Sequence, residues 1–598
     1  MRLKLAQAKP MTYGDLGGLW FGPRINADGL PVGTYVPGGK EGSCSEPIHR
    51  LTNALSAAEW RDKSIYQVVT DRFSTGSLTT PCYTTDKAYC GGTWAGITAR
   101  LDYIQGMGFD AVWISPITSN IGNTTEGQAY HGYWPMDFAT LNSHFGTADD
   151  LKALSAALHT RGMYLMADVV VNHVATTQGS AAFVPTSDYG EFDTSADFHP
   201  FCWVTDDKNQ TQVEQCWLGT STLALADIDT ESTSIVAYMN TWIKTLVSDY
   251  SIDGLRIDTV KHIRKDFWPG FASSAGVFTM GEILDGSVAY NAPYQDVLDS
   301  VLNYPLYYQI MYAFQYVNAN LGALVDVHNS LLSSMNDTTL LGTFVDNHDQ
   351  PRLASLIKDT ALLGNAYTYP FITDGVPIVY YGQEQGFSGG ADPANREPMW
   401  TSSYATDGIG YALFKKLTAA RKQAGNSSST FYTNKATVSY YDANEIVISK
   451  PPMLAILSNR GSSGSGSVTV PSNASLPEAA EVVDILTCTS WRTDKNGASV
   501  VSVSNGQPQV ILPLANIGTL CPGGVTASTI TAGSTDTTPA NPSSSAAVAS
   551  ASASSSSTSS AATPSGSTAS GSGAEKSIRL GGWSTVGLVG LIGLTTLL

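Results

Sequence analysis

Asp253-Gly-Leu-Arg-Ile-Asp-Thr259, with Lys261-His262 just after it, is the stretch from which this 598-residue chain is read. As a strand it alternates faces, so Arg256 and Asp258 share one side while Leu255 and Ile257 take the other. An arginine beside an aspartate favours the charged carboxylate. An ionised carboxylate held at the end of a strand is suited to nucleophilic attack. The same two residues also fit a structural ion pair at a strand terminus, and this stretch alone does not choose between the two.

Outward from it, short apolar runs alternate with helical segments from about residue 60 to 425. Residues 64–70, 110–116, 163–171, 253–259, 277–282, 340–346 and 376–381 read as strands, and 152–161, with Leu154, Ala157 and Leu158 on one face, reads as a helix. Nearly every strand delivers polar residues at its C-terminal end: Asp71-Arg72, Asn172-His173, Asp258, Glu282 and Asn347-His348-Asp349. A (β/α)8 TIM barrel places an active site in this way, whereas an open doubly wound sheet gathers ligand groups at one switch point. The expected fold is therefore a catalytic barrel over residues 58–425, in the α/β class. The alternation stops after His173, which marks an inserted subdomain at about 174–230, following the third strand. Residues 426–525 hold short alternating runs and read as a C-terminal antiparallel β-sandwich.

Composition narrows the function classes. The net charge of −18, without Lys/Arg clusters, argues against nucleic-acid binding. The 28 Tyr and 12 Trp suit flat, neutral, hydroxyl-rich ligands, although aromatics also fill ordinary cores. Of seven cysteines, Cys82/Cys90, Cys202/Cys216 and Cys488/Cys521 read as three disulfides with Cys44 left over, which implies an oxidising compartment. Glycosylation sequons at Asn123, Asn209, Asn336, Asn426 and Asn473 agree with secretion. Residues 1–57 are rich in Gly and Pro and remain unassigned; their basic start lacks the apolar run of a signal peptide, so either the signal is missing from this sequence or the start is misassigned. Residues 526–575 are dominated by Ser, Thr, Ala and Gly and read as a disordered, O-glycosylated stalk. Residues 576–598 are apolar and read as a GPI-attachment signal, the competing reading being a tail-anchored helix. The expectation is an extracellular monomer held at the cell surface through a lipid anchor.

Three carboxylates at strand ends, Asp258, Glu282 and Asp349, carry the chemistry. A carboxylate pair is the equipment of glycoside cleavage. Glu282 sits within the apolar strand Phe278-Thr-Met-Gly-Glu-Ile-Leu284, an environment that favours the protonated form a general acid needs. Asp258 beside Arg256 is expected to stay charged. Singly, each carboxylate also fits a cap or a salt bridge; on separate strands of one barrel they point to one site.

At these residues the chain resembles the α-amylase family of glycoside hydrolases, most closely the fungal α-amylases. The resemblance rests on Asp168-Val-Val-Val-Asn-His173, Gly254-Leu-Arg-Ile-Asp-Thr-Val-Lys-His262, Gly281-Glu-Ile-Leu284 and Phe344-Val-Asp-Asn-His-Asp349, and extends from about residue 58 to 522. It implies Asp258 as nucleophile, Glu282 as acid/base and Asp349 as transition-state stabiliser. It implies sugar contacts from Tyr133, Trp134, His173, Arg256, Lys261, His262, Gly286, His348, Asp392 and Arg396, with Tyr133 as a stacking platform. It also implies a structural Ca2+ held by Asn172, Glu214, Asp227 and the backbone carbonyl of His262. The activity implied is retaining endo-hydrolysis of α-1,4 bonds in starch-like or cell-wall α-glucan. A 4-α-glucanotransferase of GPI-anchored type shares every catalytic residue and stays open as the alternative; a non-catalytic glucan-binding wall protein is the other class and would be expected to carry a substituted triad. The chain departs from fungal relatives in having Asp346 where Glu is usual, and in lacking a further disulfide whose partners would stand near Asn291-Ala292 and before Asn336.

Overall fold

The computed structural model describes residues 55–527. Eight parallel strands form the central sheet: β1 (Ile65–Val68), β2 (Ala111–Ile114), β3 (Tyr164–Val169), then, beyond an insert containing β4 (His173–Thr176), β5 (Leu218–Gly219) and β6 (Ala224–Asp227), β7 (Gly254–Ile257), β8 (Phe278–Gly281), β9 (Ser300–Val301), β10 (Gly342–Thr343) and β11 (Val376–Tyr380). The order is β10-β11-β1-β2-β3-β7-β8-β9, and a parallel bridge between Leu302 and Gly342 closes the two ends into a barrel. Sequence periodicity finds seven of these strands. It misses β9, because two residues cannot display a period, and it draws β10 too long.

The barrel is filled from within by Ile65, Ala111, Trp113, Met166, Phe278, Met280, Leu302, Phe344 and Ile378, with Trp60 stacked on Phe278. The opposite strand faces, including Leu255 and Ile257, face the surrounding helices. Helix Ala148–Thr160 shows why these helices form where they do. Thr147 caps it by accepting from the Asp150 N–H (3.2 Å) while the Asp150 carboxylate accepts from the Thr147 N–H (2.8 Å). Leu151, Leu154 and Leu158 then bury one stripe.

The insert leaves directly from the end of β3. β4 pairs antiparallel with β6, His173 opposite Asp227, so the insert begins at His173 itself. The C-terminal domain has β12 (Thr437–Tyr441), β13 (Glu445–Lys450), β14 (Met453–Ser458), β15 (Gly466–Val470), β16 (Glu481–Asp484), β17 (Thr489–Arg492), β18 (Ser499–Val503), β19 (Gln509–Pro513) and β20 (Thr526–Ala527). A seven-stranded sheet, β12-β13-β14-β19-β16-β17-β20, is faced by the β15–β18 pair. The pairing is antiparallel except for β17–β20, which is parallel. β20 also places the first two residues of the expected stalk within the sheet.

Three disulfides form: Cys82–Cys90, Cys202–Cys216 and Cys488–Cys521. All five sequon asparagines are exposed. At the position of the absent fourth bridge, Gln295 ties the segments together, its amide donating to the Asp337 carbonyl (2.8 Å) and its oxygen accepting from the Asp337 N–H (3.1 Å). Cys44, the N-terminal segment, the remainder of the stalk and the apolar end lie outside the described residues. No helix among the described residues is long and apolar enough to cross a membrane.

Candidate active site

The strand ends of β3, β7 and β8 converge on one guanidinium. Nη1 of Arg256 lies 2.8 Å from Asp258 Oδ1 and 2.9 Å from Asp168 Oδ1, and Nη2 lies 2.9 Å from Glu282 Oε2. This corrects the expectation of a private Arg256–Asp258 pair. Arg256 is shared among three buried carboxylates, and burial, reinforced by the charges of Glu282, Asp168 and Asp349, raises the Asp258 carboxyl well above its usual range against the pull of Arg256. Asp349 is pushed to about 7, again by burial first and then by Glu282, with Arg396 and Arg256 opposing. These carboxyls titrate as a group.

Glu282 is fixed through both oxygens. Oε2 accepts from the Thr259 N–H (3.1 Å), and Oε1 accepts from the Tyr304 hydroxyl (3.3 Å), which in turn accepts from Asn347 Nδ2 (2.8 Å). Asp349 Oδ2 lies 3.2 Å from His348 Nε2, and its Oδ1 lies 3.7 Å from Arg396 Nη2. Gln67 Nε2 donates to His348 Nδ1 (2.9 Å), so the ring proton sits on Nε2, facing Asp349. Asp392 holds the other arm of Arg396 at 3.0 Å.

Tyr133 lies flat against the His348 ring, centroids 4.8 Å apart and planes 2° from parallel, and its hydroxyl donates to Asp168 Oδ2 at 2.7 Å. His173 Nε2 bonds the Tyr133 carbonyl (3.2 Å). Burial pulls His173 down to about 4 and His348 well below the usual imidazole range, so both are neutral at pH 7 and can bond hydroxyls without adding charge. Lys261 Nζ donates to the Leu284 carbonyl (3.1 Å), and a Cβ on Gly286 would stand 3.3 Å from the Tyr308 ring. Two expected sugar contacts are placed differently. Trp134 is 6% exposed and packs with Leu218, Leu223 and Leu225 of the insert. The His262 ring is buried and bonds the Val213 carbonyl (2.9 Å).

The expected metal ligands show one telling feature. Asn172 Oδ1 and Asp227 Oδ1 are buried polar oxygens with no hydrogen-bond partner. Glu214 Oε1 accepts from Gln210 Nε2 (2.7 Å). A neighbouring donor group, His199, Asp229 and Glu231, lies close enough to hold an ion. Its imidazole is already engaged on both nitrogens, by Asp227 (2.6 Å) and Glu231 (2.6 Å), which leaves no lone pair for a metal.

Asp168, Tyr304 and Gln67 contribute to the site without having been singled out. Asp168 stands in a quoted motif, but its contact with Arg256 depends on the β3–β7 register, in which the two are partners. Tyr304 and Gln67 sit in apolar surroundings that give none.

Known proteins carry the same organisation. A family model for the α-amylase catalytic domain matches residues 67–450, and one for α-amylase domain C matches residues 431–529. The chain is 45% identical over 487 residues to alpha-amylase 2 of Schwanniomyces occidentalis, covering 79% of this chain and 96% of that one. It is 50% identical over 381 residues to alpha-amylase 1 of Lipomyces kononenkoae, covering 63% and 61%. A solved alpha-amylase from Malbranchea cinnamomea matches with a TM-score of 0.76 at 43% identity, over 78% of this chain and 99% of that one. With a closed parallel barrel, a carboxylate cluster at its strand ends and matches spanning barrel and C-terminal domain, the chain belongs to the α-amylase family of glycoside hydrolases.

Proposed function

We propose that this chain hydrolyses internal α-1,4-glucosidic bonds of starch-like or cell-wall α-glucans by double displacement. The observation that carries the reading is the convergence of Asp258 and Glu282 on the two terminal nitrogens of Arg256. A pair held this closely suits retention, for which about 5–5.5 Å between carboxyls is typical, better than inversion at about 6.5–9.5 Å. Asp258 attacks the anomeric carbon while Glu282 gives its proton to the departing glycosidic oxygen. Water then gives a proton to Glu282 and its oxygen to the same carbon, and Asp258 leaves as the carboxylate. Asp349, His348 and His173 bond sugar hydroxyls as the ring flattens, and Tyr133 offers its face to the sugar.

The test is a product time course on maltoheptaose. Shorter oligosaccharides with rising reducing ends are the expected result. Products longer than the substrate, at constant reducing ends, would make the chain a 4-α-glucanotransferase. Asp258→Asn is expected to lower kcat by at least ~10⁴-fold while glucan binding persists.

The unpartnered oxygens of Asn172 and Asp227 fit a hard cation such as Ca2+, which takes several oxygen ligands. Asn172, Asp227, Glu214 and the His262 carbonyl would hold it. Its contribution would be structural, fastening the insert to the end of β3 beside His173. Three disulfides favour an oxidising, extracellular setting. The Ser/Thr-rich and apolar stretches of the sequence support attachment to the cell surface; release of the protein from membranes by a phosphatidylinositol-specific phospholipase tests that attachment.

A further inference from the structure

Among the described residues, Tyr312, Tyr316, Val317 and Tyr441 are exposed by 50%, 65%, 50% and 49%. They are the outer end of a longer series. Helix Tyr304–Phe314 begins at the catalytic cluster, where the Tyr304 hydroxyl bonds Glu282. Tyr304, Tyr308 and Tyr312 follow at four-residue steps on this helix, the spacing that keeps side chains on one slowly turning face, and Tyr316 comes four residues later, just past the helix end at Phe314. The Tyr304 and Tyr308 rings are 6.3 Å apart. Tyr308 in turn stands beside the site, 3.3 Å from where a Cβ on Gly286 would lie. From Tyr304 to Tyr312 the helical rise is about 12 Å, a span of several sugar residues.

The far end is fastened to the C-terminal domain. The Asn318 N–H donates to the Asn459 carbonyl (3.0 Å), Asn459 Nδ2 donates to the Ala319 carbonyl (2.7 Å), and Asn444 Nδ2 donates to Asn318 Oδ1 (2.5 Å). Tyr441 joins the edge there, its ring 3.8 Å from where a Cβ on Gly322 would stand. The end of this helix and the C-terminal domain thus meet at a junction that carries exposed tyrosines and asparagines. Such rings offer apolar faces to C–H groups and polar tips to hydroxyls.

We propose that Tyr308, Tyr312, Tyr316 and Tyr441 form a track for a long α-glucan, leading the departing part of the chain from Glu282 toward the C-terminal domain. The direction follows from the chemistry proposed above, on which the inference rests: Glu282 protonates the glycosidic oxygen, so the departing sugars lie on its side.

The test replaces Tyr312, Tyr316 and Tyr441 together by alanine. Because all three are exposed, folding is expected to survive. The ratio of KM for amylose to KM for maltotetraose is expected to rise about fivefold to tenfold. The matching triple Phe variant keeps the ring faces and is expected to restore the ratio to within about twofold of wild type. An unchanged ratio in the alanine variant overturns the track. Should the wild-type chain leave α-1,4 glucan uncut, the proposed reaction falls by itself, and retardation in native gels containing amylose reads the track instead. Slower migration of wild type than of the alanine variant then supports it, and equal migration overturns it.

Discussion

At Arg256 one delocalised cation is shared by Asp168, Asp258 and Glu282, and the side chain is 1% exposed. A lysine has a single point of charge and cannot span three carboxylates held on different strands. Arg256→Lys is therefore expected to lower kcat/KM at least ~100-fold and to destabilise the fold by about 3–5 kcal/mol, since it leaves a buried carboxylate without a partner. Steady-state kinetics and thermal unfolding on the same preparation check both halves. The sequence made Arg256 and Asp258 visible because strand alternation puts them on one face. It could not show that Arg256 also serves Glu282, because that contact depends on how β7 and β8 register, Arg256 opposite Met280. The protonation expected of the two carboxyls was assigned as if each had its own surroundings. In the folded chain burial first, and then the charges of Glu282, Asp168 and Asp349, push Asp258 upward against Arg256.

Among the elements, helix Ala148–Thr160 is tied to its neighbours by a titratable contact. His159 Nε2 lies 2.8 Å from Asp253 Oδ2, and the same oxygen accepts from the Leu165 N–H (2.8 Å), so helix, β3 and the approach to β7 meet there. The bond to Asp253 raises the His159 imidazolium above its usual range, against burial. The folded state therefore holds the proton more tightly than the unfolded chain. The stabilisation is complete below the unfolded value of about 6.5 and is lost as pH rises through the raised folded value, at most ~1 kcal/mol for a partly exposed pair. Wild type is expected to lose more stability than His159→Gln between pH 6 and pH 8.5 in urea titrations. The insert makes a second prediction. If Asn172 and Asp227 share a calcium ion, EGTA should lower the unfolding temperature and added Ca2+ should restore it, about 2.7 kcal/mol being regained at a hundredfold excess over Kd. These two elements differ in legibility. The helix could be read from its apolar stripe at Leu154, Ala157 and Leu158, although it begins at Ala148 and not at residue 152. The ligand set could not, because its members are brought together by the antiparallel β4–β6 pairing and not by spacing. Within the C-terminal domain the alternation fails at β16 for a related reason. Val482 and Val483 of β16 are both fully buried, one against the β15–β18 pair and the other against the main core, so two covered faces erase the alternation that marks a half-buried strand.

Across the molecule, barrel and C-terminal domain share one core. Ile446, Ile448, Ala455, Leu457, Val483 and Val510 belong to the same buried cluster as the barrel helices, while Val447, Leu454, Ile456 and Val482 face the β15–β18 pair. Within that shared interior lies a buried ion pair, Lys450 Nζ to Asp374 Oδ1 at 2.6 Å, with side chains 1% and 6% exposed. Asp374 also accepts from the Ala436 N–H (2.8 Å) and from the Thr338 hydroxyl (2.6 Å), so one carboxylate just before β11 gathers the end of the barrel and the start of the sandwich. Lys450 in turn donates to the Asn434 carbonyl. Lys450→Met keeps most of the side-chain volume and removes the charge. It is expected to cost about 3–5 kcal/mol, because Asp374 is left buried with its charge uncompensated. Asp374→Asn combined with Lys450→Met removes both charges and is expected to recover part of that loss, the difference measuring the coupling. Because the pair spans the two domains, its loss should lower a single unfolding transition and not split it in two. Calorimetry distinguishes these outcomes: one endotherm moving down in temperature means barrel and sandwich unfold as a unit, whereas a second endotherm in the Lys450→Met protein would mean that the pair, more than the shared apolar contact, makes them cooperative.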